Sequence, residues 1–222
     1  MGPLKVLVVV PSGGHWVADF ATSLISLVAH FANKPVPGYS SQELQVMNIK
    51  GSILPKSRLQ GLKAAKAARA THLLFLDSDH TFPPSLLSQL LACEKGVVAA
   101  NCVTKSLPAA TTARRFKLDE PQGIPVYSDA DSVGLQKVWR VGTGVMLLSA
   151  WAFEKLPHDS FGMVYKEEAD TYQGEDWTMC EALEKAGVSI YIEHSISRAV
   201  GHVGMLNYTH EYVGEVLKRE AA

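Results

Sequence analysis

The chain has little of what marks a secreted, membrane-spanning or disulfide-stapled protein. Its three cysteines, Cys93, Cys102 and Cys180, are odd in number and far apart. They make neither a disulfide framework nor a CxxC metal motif, and each reads as a small buried apolar residue in a reducing compartment. Long apolar runs are missing too. The run at the N-terminus, Val6 to Val10, stops at Pro11, too short to span a bilayer and without the cleavage pattern of a signal peptide. A cytoplasmic protein without membrane association is the expectation. Neither sign of charge is in excess, and a net charge of −1 provides no global field for a nucleic acid. The one obvious basic cluster, Arg114-Arg115-Phe116-Lys117, is equally well explained as a solvated loop. Pro11-Ser12-Gly13-Gly14-His15 is neither a Gly-x-Gly-x-x-Gly nor a P-loop, because no Gly-Lys-Ser/Thr follows.

What remains is an ordinary globular composition, 47% hydrophobic and 19% charged over 222 residues, enough for one α/β domain with a full core. Apolar runs of strand length alternate with helical patterns, the mark of βαβ units around a largely parallel sheet. Strands are expected at 4–10, 44–49, 72–76, 97–102 and 188–193, and helices at 15–31, 56–69, 85–93, 150–156 and 177–186. A final helix is expected over 211–220. Leu59, Leu62, Ala65 and Ala68 lie near helical spacing, Pro83-Pro84 opens the third helix and Gly187 closes the fifth. The runs 138–141 and 145–148 flank Gly142-Thr143-Gly144, the layout of a hairpin turn. Segments 104–132 and 157–173 are irregular, and loops of that length in a compact domain are functional or mobile.

The most informative stretch is Leu73-Leu74-Phe75-Leu76 followed by Asp77-Ser78-Asp79. A strand apolar at every position is buried on both faces at the centre of its sheet, and open α/β sheets bind ligands at the carboxyl ends of such strands. Two carboxylates one residue apart in that place need a cation. Oxygen ligands select Mg2+ or Mn2+, which in turn favour diphosphate oxygens. The residues read as an Asp–metal–diphosphate site, with a solvated turn of helix-capping aspartates as the plainer alternative. Glu175 and Asp176 follow Gly174 at a helix start, where carboxylates are favoured by the helix dipole. They are either first-turn acids or a catalytic base. His202 lies in Gly201-His202-Val203-Gly204, where glycines allow close backbone approach.

Leu73 to Asp79 with the proline-opened helix behind it resembles the DxD turn of GT-A-fold glycosyltransferases, and more narrowly the small glycosyltransferase-like proteins of bacteriophages. The resemblance continues through the Arg58 helix, Asn101, the segment 141–147, Gly174-Glu175-Asp176 and Gly201 to Gly204. It implies a single GT-A-like, Rossmann-like α/β domain over 1–222, with a mostly parallel sheet flanked by helices. It implies an enzyme that moves a sugar from a nucleotide-sugar donor to an acceptor hydroxyl. A hydroxymethylpyrimidine in phage DNA is one acceptor it suggests; polysaccharide, protein and small molecules stay open.

The resemblance also implies roles. Asp79 would bind Mn2+ or Mg2+ directly, Asp77 would contact ribose or reach the metal through water, and His202 would be a third ligand. Pro11, Ser12 and Gly13 would receive the nucleotide base, and Ser78 would belong to the donor-facing turn. Arg58 would reach the diphosphate or base, or else stand exposed on its helix. Asn101 and Thr104 would lie near the sugar, with Gly142, Thr143 and Gly144 beneath it. Asp176, with Glu175 beside it, would be the base of an inverting transfer. Trp139, Tyr165, Tyr172 and Trp177 would stack on a sugar or base, where they do not serve the core.

Asp77-Ser78-Asp79-His80-Thr81 also matches the DxDxT motif of haloacid-dehalogenase-like phosphatases, with Asp77 as nucleophile and Asp79 as acid/base. That motif usually lies on the first strand, and here several elements precede it. His80 stands where glycine is usual, and the helix after Pro83 leaves little room for a flap. A third reading is a nucleotide-sugar-binding module without turnover.

Overall fold

The computed structural model describes residues 2–205 except 107, 121, 168 and 169; the helix expected over 211–220 lies outside the described residues. In chain order the elements are β1 (Leu4–Ser12), α1 (Ala18–Asn33), β2 (Gln42–Lys50), α2 (Leu54–Ala67), β3 (His72–Leu76), β4 (His80–Thr81) and α3 (Leu86–Ala92). They continue through β5 (Val97–Ala99), β6 (Arg114–Arg115), β7 (Ile124–Pro125), β8 (Leu135–Val138), β9 (Val145–Ser149), α4 (Ala150–Phe153), β10 (Val164–Lys166) and β11 (Thr171–Gln173). The last are α5 (Glu175–Lys185), β12 (Ile190–Glu193), α6 (His194–Ala199) and β13 (Gly201–His202).

Seven strands form one sheet in the order β2-β1-β3-β9-β5-β12-β8. β1, β2, β3, β5 and β12 run one way, and β9 and β8 run against them. The unbroken apolar run of β3 places it inside this sheet, between β1 and β9, with Leu73 through Leu76 fully buried. Its alternate residues serve two cores. Leu73 and Phe75 pack with Leu62, Phe153 and Leu183 on one face. Leu74 and Leu76 pack with Phe20, Leu24 and Leu87 on the other. Each such side chain contributes roughly 1.5–3 kcal/mol of burial. α1 turns Phe20, Leu24, Leu27 and Phe31 inward at helical spacing. α2 approaches β1 at Gly61, where an added Cβ would meet Val9 at 2.6 Å.

The structure departs from the sequence expectations in five places. Residues 138–141 and 145–148 are not the two arms of a hairpin: β8 closes the sheet edge against β12, whereas β9 is inserted between β3 and β5. Gly142-Thr143-Gly144 therefore leads a crossing from edge to centre rather than a tight turn. Segment 104–132 holds the short hairpin β6–β7, and 157–173 holds β10–β11. α5 begins at Glu175 rather than at Trp177, with Gly174 as its N-cap. α6 has no counterpart in the pattern; its start is capped by Glu193, which accepts from the Ile196 N–H at 2.6 Å. The cysteines are free, and burial pushes the Cys180 thiol up to about 12. Among the described residues no helix is long and apolar enough to cross a membrane.

Asn101 pins the irregular segment to the sheet. Its amide donates to Val126 O at 2.7 Å, and its carbonyl oxygen accepts from the Ala113 N–H at 2.8 Å. Both partners are buried, so Asn101→Ala leaves two groups unsatisfied at about 1–3 kcal/mol each. Thermal denaturation should show a loss of about 2–4 kcal/mol; a change below about 0.5 kcal/mol would mean that the segment is held by something else.

Candidate active site

The acidic turn leaves the carboxyl end of β3, and three segments close around it. β4 follows directly and pairs antiparallel with β13, setting His80 opposite His202. Gly144, just before β9, accepts from the Asp77 N–H at 2.8 Å. α5 presents Glu175 and Asp176 from its first turn. Together they line a cleft of about 240 Å3 that includes Arg58, Asp77, Glu175, Asp176, Lys105 and His202. Gly142, Thr143, Gly144, Thr104 and Thr112 line it as well. Gly144 has no room for a side chain, because a Cβ would meet His80 Cε1 at 2.7 Å and Asp77 Oδ2 at 3.2 Å.

The two aspartates of the turn are held differently. Arg58 is 2% exposed rather than standing free on its helix, and its Nη2 donates to both oxygens of Asp77, at 3.0 and 3.1 Å. The same guanidinium reaches Glu175 Oε1 through Nε at 3.3 Å, so α2 ties the acidic turn to α5. Asp79 faces the opposite way. Its Oδ2 is paired with the Lys105 ammonium, and its Oδ1 lies 3.3 Å from His80 Nδ1 and 3.4 Å from His202 Nε2. The two imidazoles stack, centroids 4.2 Å apart.

This second cluster fits a divalent cation. His202 Nδ1 lies 2.7 Å from Val103 O, which makes Nδ1 the protonated nitrogen and leaves the Nε2 lone pair toward Asp79. Among the described residues neither ring nitrogen of buried His80 has a hydrogen-bond partner, and its 3.3 Å approach to Asp79 is an ion-pair separation. Adjacent donors on an ion that binds at roughly 2.1 Å sit about 3 Å apart, close to the spacing here. A carboxylate with two imidazoles suits Mn2+ at least as well as Mg2+. In the protein alone, positive charge gathers where the cation would go. Burial works against charging His80, but the contacts with Asp79, Cys102 and Asp77 outweigh it and carry its pKa up to about 10. Burial likewise works to raise Asp79, but His80, Lys105 and His202 hold it well below the usual carboxylate range.

Asp176 differs from its neighbours. Burial, then the charge of Glu175, pushes its pKa up, and a hydrogen bond from the Trp177 N–H at 2.8 Å only partly offsets this. A half-buried carboxylate with a raised pKa at the wall of a cleft is suited to accept a proton. Thr143 and Thr112 each carry a buried hydroxyl without a partner among the described residues.

The remaining residues singled out from sequence do not line this cleft. Ser78 accepts from the Val17 N–H through its carbonyl at 3.1 Å, joining the turn to the loop after β1. Pro11, Ser12 and Gly13 stand in and after the end of β1, where Ser12 Oγ donates to Asn48 at 2.8 Å and Trp16 Nε1 approaches the same oxygen at 3.3 Å. Asn101 gives its side chain to the backbone groups of Val126 and Ala113 instead. His80 and Lys105 were missed. His80 carries the one available signal, its place directly after Asp79. A separate cleft of about 580 Å3 along Arg115, Lys137 and Trp139 includes Glu184 but none of Asp77, Asp79, Glu175 and Asp176.

The whole fold has solved counterparts. Protein A197 from STIV is similar over 93% of this chain and 100% of its own, with a TM-score of 0.55 and 14% identity. GalNAc-T7, solved with UDP, GalNAc and Mn2+, is similar over 95% of this chain and 46% of its own, with a TM-score of 0.55 and 12% identity. The fold is GT-A-like. No protein-family model and no curated protein matches the sequence. This chain spans less than half of the GalNAc-T7 chain.

Lys105 separates a cation site from a merely acidic turn. Asp79→Ala should abolish Mn2+ binding in calorimetry. Lys105→Ala removes a competing charge and should tighten Mn2+ in the absence of any donor, by about three- to tenfold. Weaker binding in Lys105→Ala would place the cation elsewhere.

Proposed function

We propose that the protein is a divalent-cation-dependent glycosyltransferase that uses a nucleotide-sugar donor. One observation carries the reading. His80 and His202, which with Asp79 make a set of cation donors, line a cleft at the end of β3 together with the proton-accepting carboxylate Asp176. The GT-A-like fold supports it, and GalNAc-T7, which was solved with UDP and Mn2+, makes a UDP-linked sugar the first donor to try.

Asp79 with His202 and His80 would hold the cation, whose charge would offset the negative charge developing on the departing nucleoside diphosphate. The chain's own residues do the rest. Pro11, Ser12 and Gly13 at the end of β1 receive the nucleotide, and Ser78 ties that loop to the acidic turn. Arg58 fixes Asp77 and Glu175, so that Asp77 faces the donor ribose in one orientation. Gly142 and Gly144 let the backbone close against Thr112, His80 and Asp77, and with Thr143 they form the wall of the cleft on which the sugar rests. In an inverting transfer the acceptor oxygen bonds to the anomeric carbon while the bond to diphosphate breaks. The bonding electrons leave with the nucleotide, and the hydroxyl proton passes to Asp176. Glu175, engaged with Arg58, supports Asp176 by raising its pKa rather than by taking the proton itself. The phosphatase reading is less well supported, because the candidate cation donors Asp79, His80 and His202 leave out its nucleophile Asp77, which pairs with Arg58 instead.

The test is nucleotide release from UDP-, GDP-, ADP- and CMP-linked sugars with Mn2+, with Mg2+ and with EDTA, donor binding being read in parallel. One donor should be bound and slowly cleaved only with metal. Asp176→Asn should bind that donor normally and transfer about 10²–10⁴-fold more slowly. Absence of metal-dependent donor binding across the panel would overturn the assignment. The pH profile carries a sign as well. Asp176 must be deprotonated to act, so transfer should rise with pH through a midpoint above the ordinary carboxylate value. A midpoint at or below that value would remove Asp176 from the base role.

A further inference from the structure

A second cleft opens on the other side of Asp176. Its volume is about 480 Å3, and Asp176 is the residue it shares with the donor cleft. Trp139 and Trp177 form part of its wall, their rings 6.2 Å apart and inclined at 53°. Tyr172, 64% exposed on β11, stands edge-on to Tyr165. These rings are not consumed by either core. Between them lie Gln122, Gln173, Lys166 and Glu181.

The charge of this lining decides what it suits. Asp176 and Glu181 face one ammonium, Lys166, which is itself 3.6 Å from Glu181. Glu181 is also 3.5 Å from Arg140. Among the described residues, then, no cation of this lining is left over to neutralise a phosphate. A nucleic acid binds through such cations and brings a phosphate with every nucleotide. Arg115 and Lys137 belong to the neighbouring cleft beyond Trp139. By contrast, a sugar ring offers an apolar C–H face to aromatic walls. Its hydroxyls, at once donors and acceptors, match a lining of amides, carboxylates and one ammonium.

We propose that this cleft is the acceptor subsite and that it takes an uncharged saccharide. The proposal rests on the glycosyltransferase reading for its chemistry but not for its binding. A hydroxyl of the bound saccharide would give its proton to Asp176 and its oxygen to the anomeric carbon of the donor, and the nucleoside diphosphate would leave with the bonding electrons. The hydroxymethylpyrimidine acceptor suggested by the phage resemblance is disfavoured by the same charges when it is carried on a DNA strand.

The experiment measures binding to the whole protein by ligand-observed NMR, without donor. The probes are neutral mono- and disaccharides up to tens of millimolar, a single-stranded oligonucleotide containing hydroxymethylcytosine, and a Ser/Thr-containing peptide. At least one saccharide should bind, insensitively to salt, and Tyr172→Ala and Trp177→Leu should each weaken it by about tenfold. Donor binding at the first cleft should change less than twofold in Tyr172→Ala, which shows that this variant remains folded. Binding of no saccharide overturns the proposal, as does saccharide binding untouched in Tyr172→Ala and Trp177→Leu. Preferential, salt-sensitive binding of the oligonucleotide, or preferential binding of the peptide, overturns it too. A saccharide that binds as expected while no nucleotide-sugar binds would leave this cleft standing and remove the glycosyltransferase reading instead.

Discussion

Arg58 is a buried guanidinium between two carboxylates that belong to different elements, Asp77 on the turn after β3 and Glu175 on α5. A buried charge is tolerated only when paired, and a pair broken on one side leaves the other charge uncompensated. The packing of α2 on β1 through Gly61 brings Arg58 to this position, and the arginine then holds the acidic turn and the first turn of α5 in register. Everything chemical in the cleft follows from that. With Asp77 turned to Arg58, Asp79 is left to face the imidazoles. With Glu175 likewise engaged, Asp176 is the carboxylate left to face both clefts.

The sheet order does the remaining positioning. β9 runs against its neighbours, so its N-terminal end meets the carboxyl end of β3. That places Gly142-Thr143-Gly144, rather than a helix or a long loop, beside the acidic turn. The two-residue pairing of β4 with β13 brings in His202 from far along the chain. Neither short strand would persist alone; they are anchored by β3 on one side and α6 on the other. The candidate cation donors thus come from one local and one distant segment.

Much of this was legible in the residues, and the limits have physical reasons. β3 and its acidic end stood out because paired aspartates at the end of an all-apolar strand need a positive charge close by. α2 declared itself by the helical spacing of Leu59, Leu62 and Ala65. The insertion of β9 was not legible: Gly142-Thr143-Gly144 between two apolar runs obeys the local rules of a hairpin, and only long-range pairing separates the runs. Asn101 is polar at a strand end, which suggests a ligand contact, yet its amide matches two backbone groups of a segment whose path has no periodic signature. Arg58 looked like any helical arginine, because its burial depends on where α5 packs. His80 lacked a recognisable role until β13 set His202 against it. Asp77, expected to contact ribose or to reach the metal through water, gives both its oxygens to Arg58, a partner that only the packing of α2 supplies.

The central claim is that one divalent cation sits on Asp79, His80 and His202 at the mouth of the donor cleft. Anomalous X-ray scattering from crystals grown with Mn2+ and a nucleoside diphosphate tests this directly. The account predicts a single strong peak within bonding distance of Asp79, His80 Nδ1 and His202 Nε2, with diphosphate oxygens completing the shell and Asp77 still on Arg58. A peak held by Asp77, or by Glu175 and Asp176, would contradict it, as would a well-ordered diphosphate with no metal beside it.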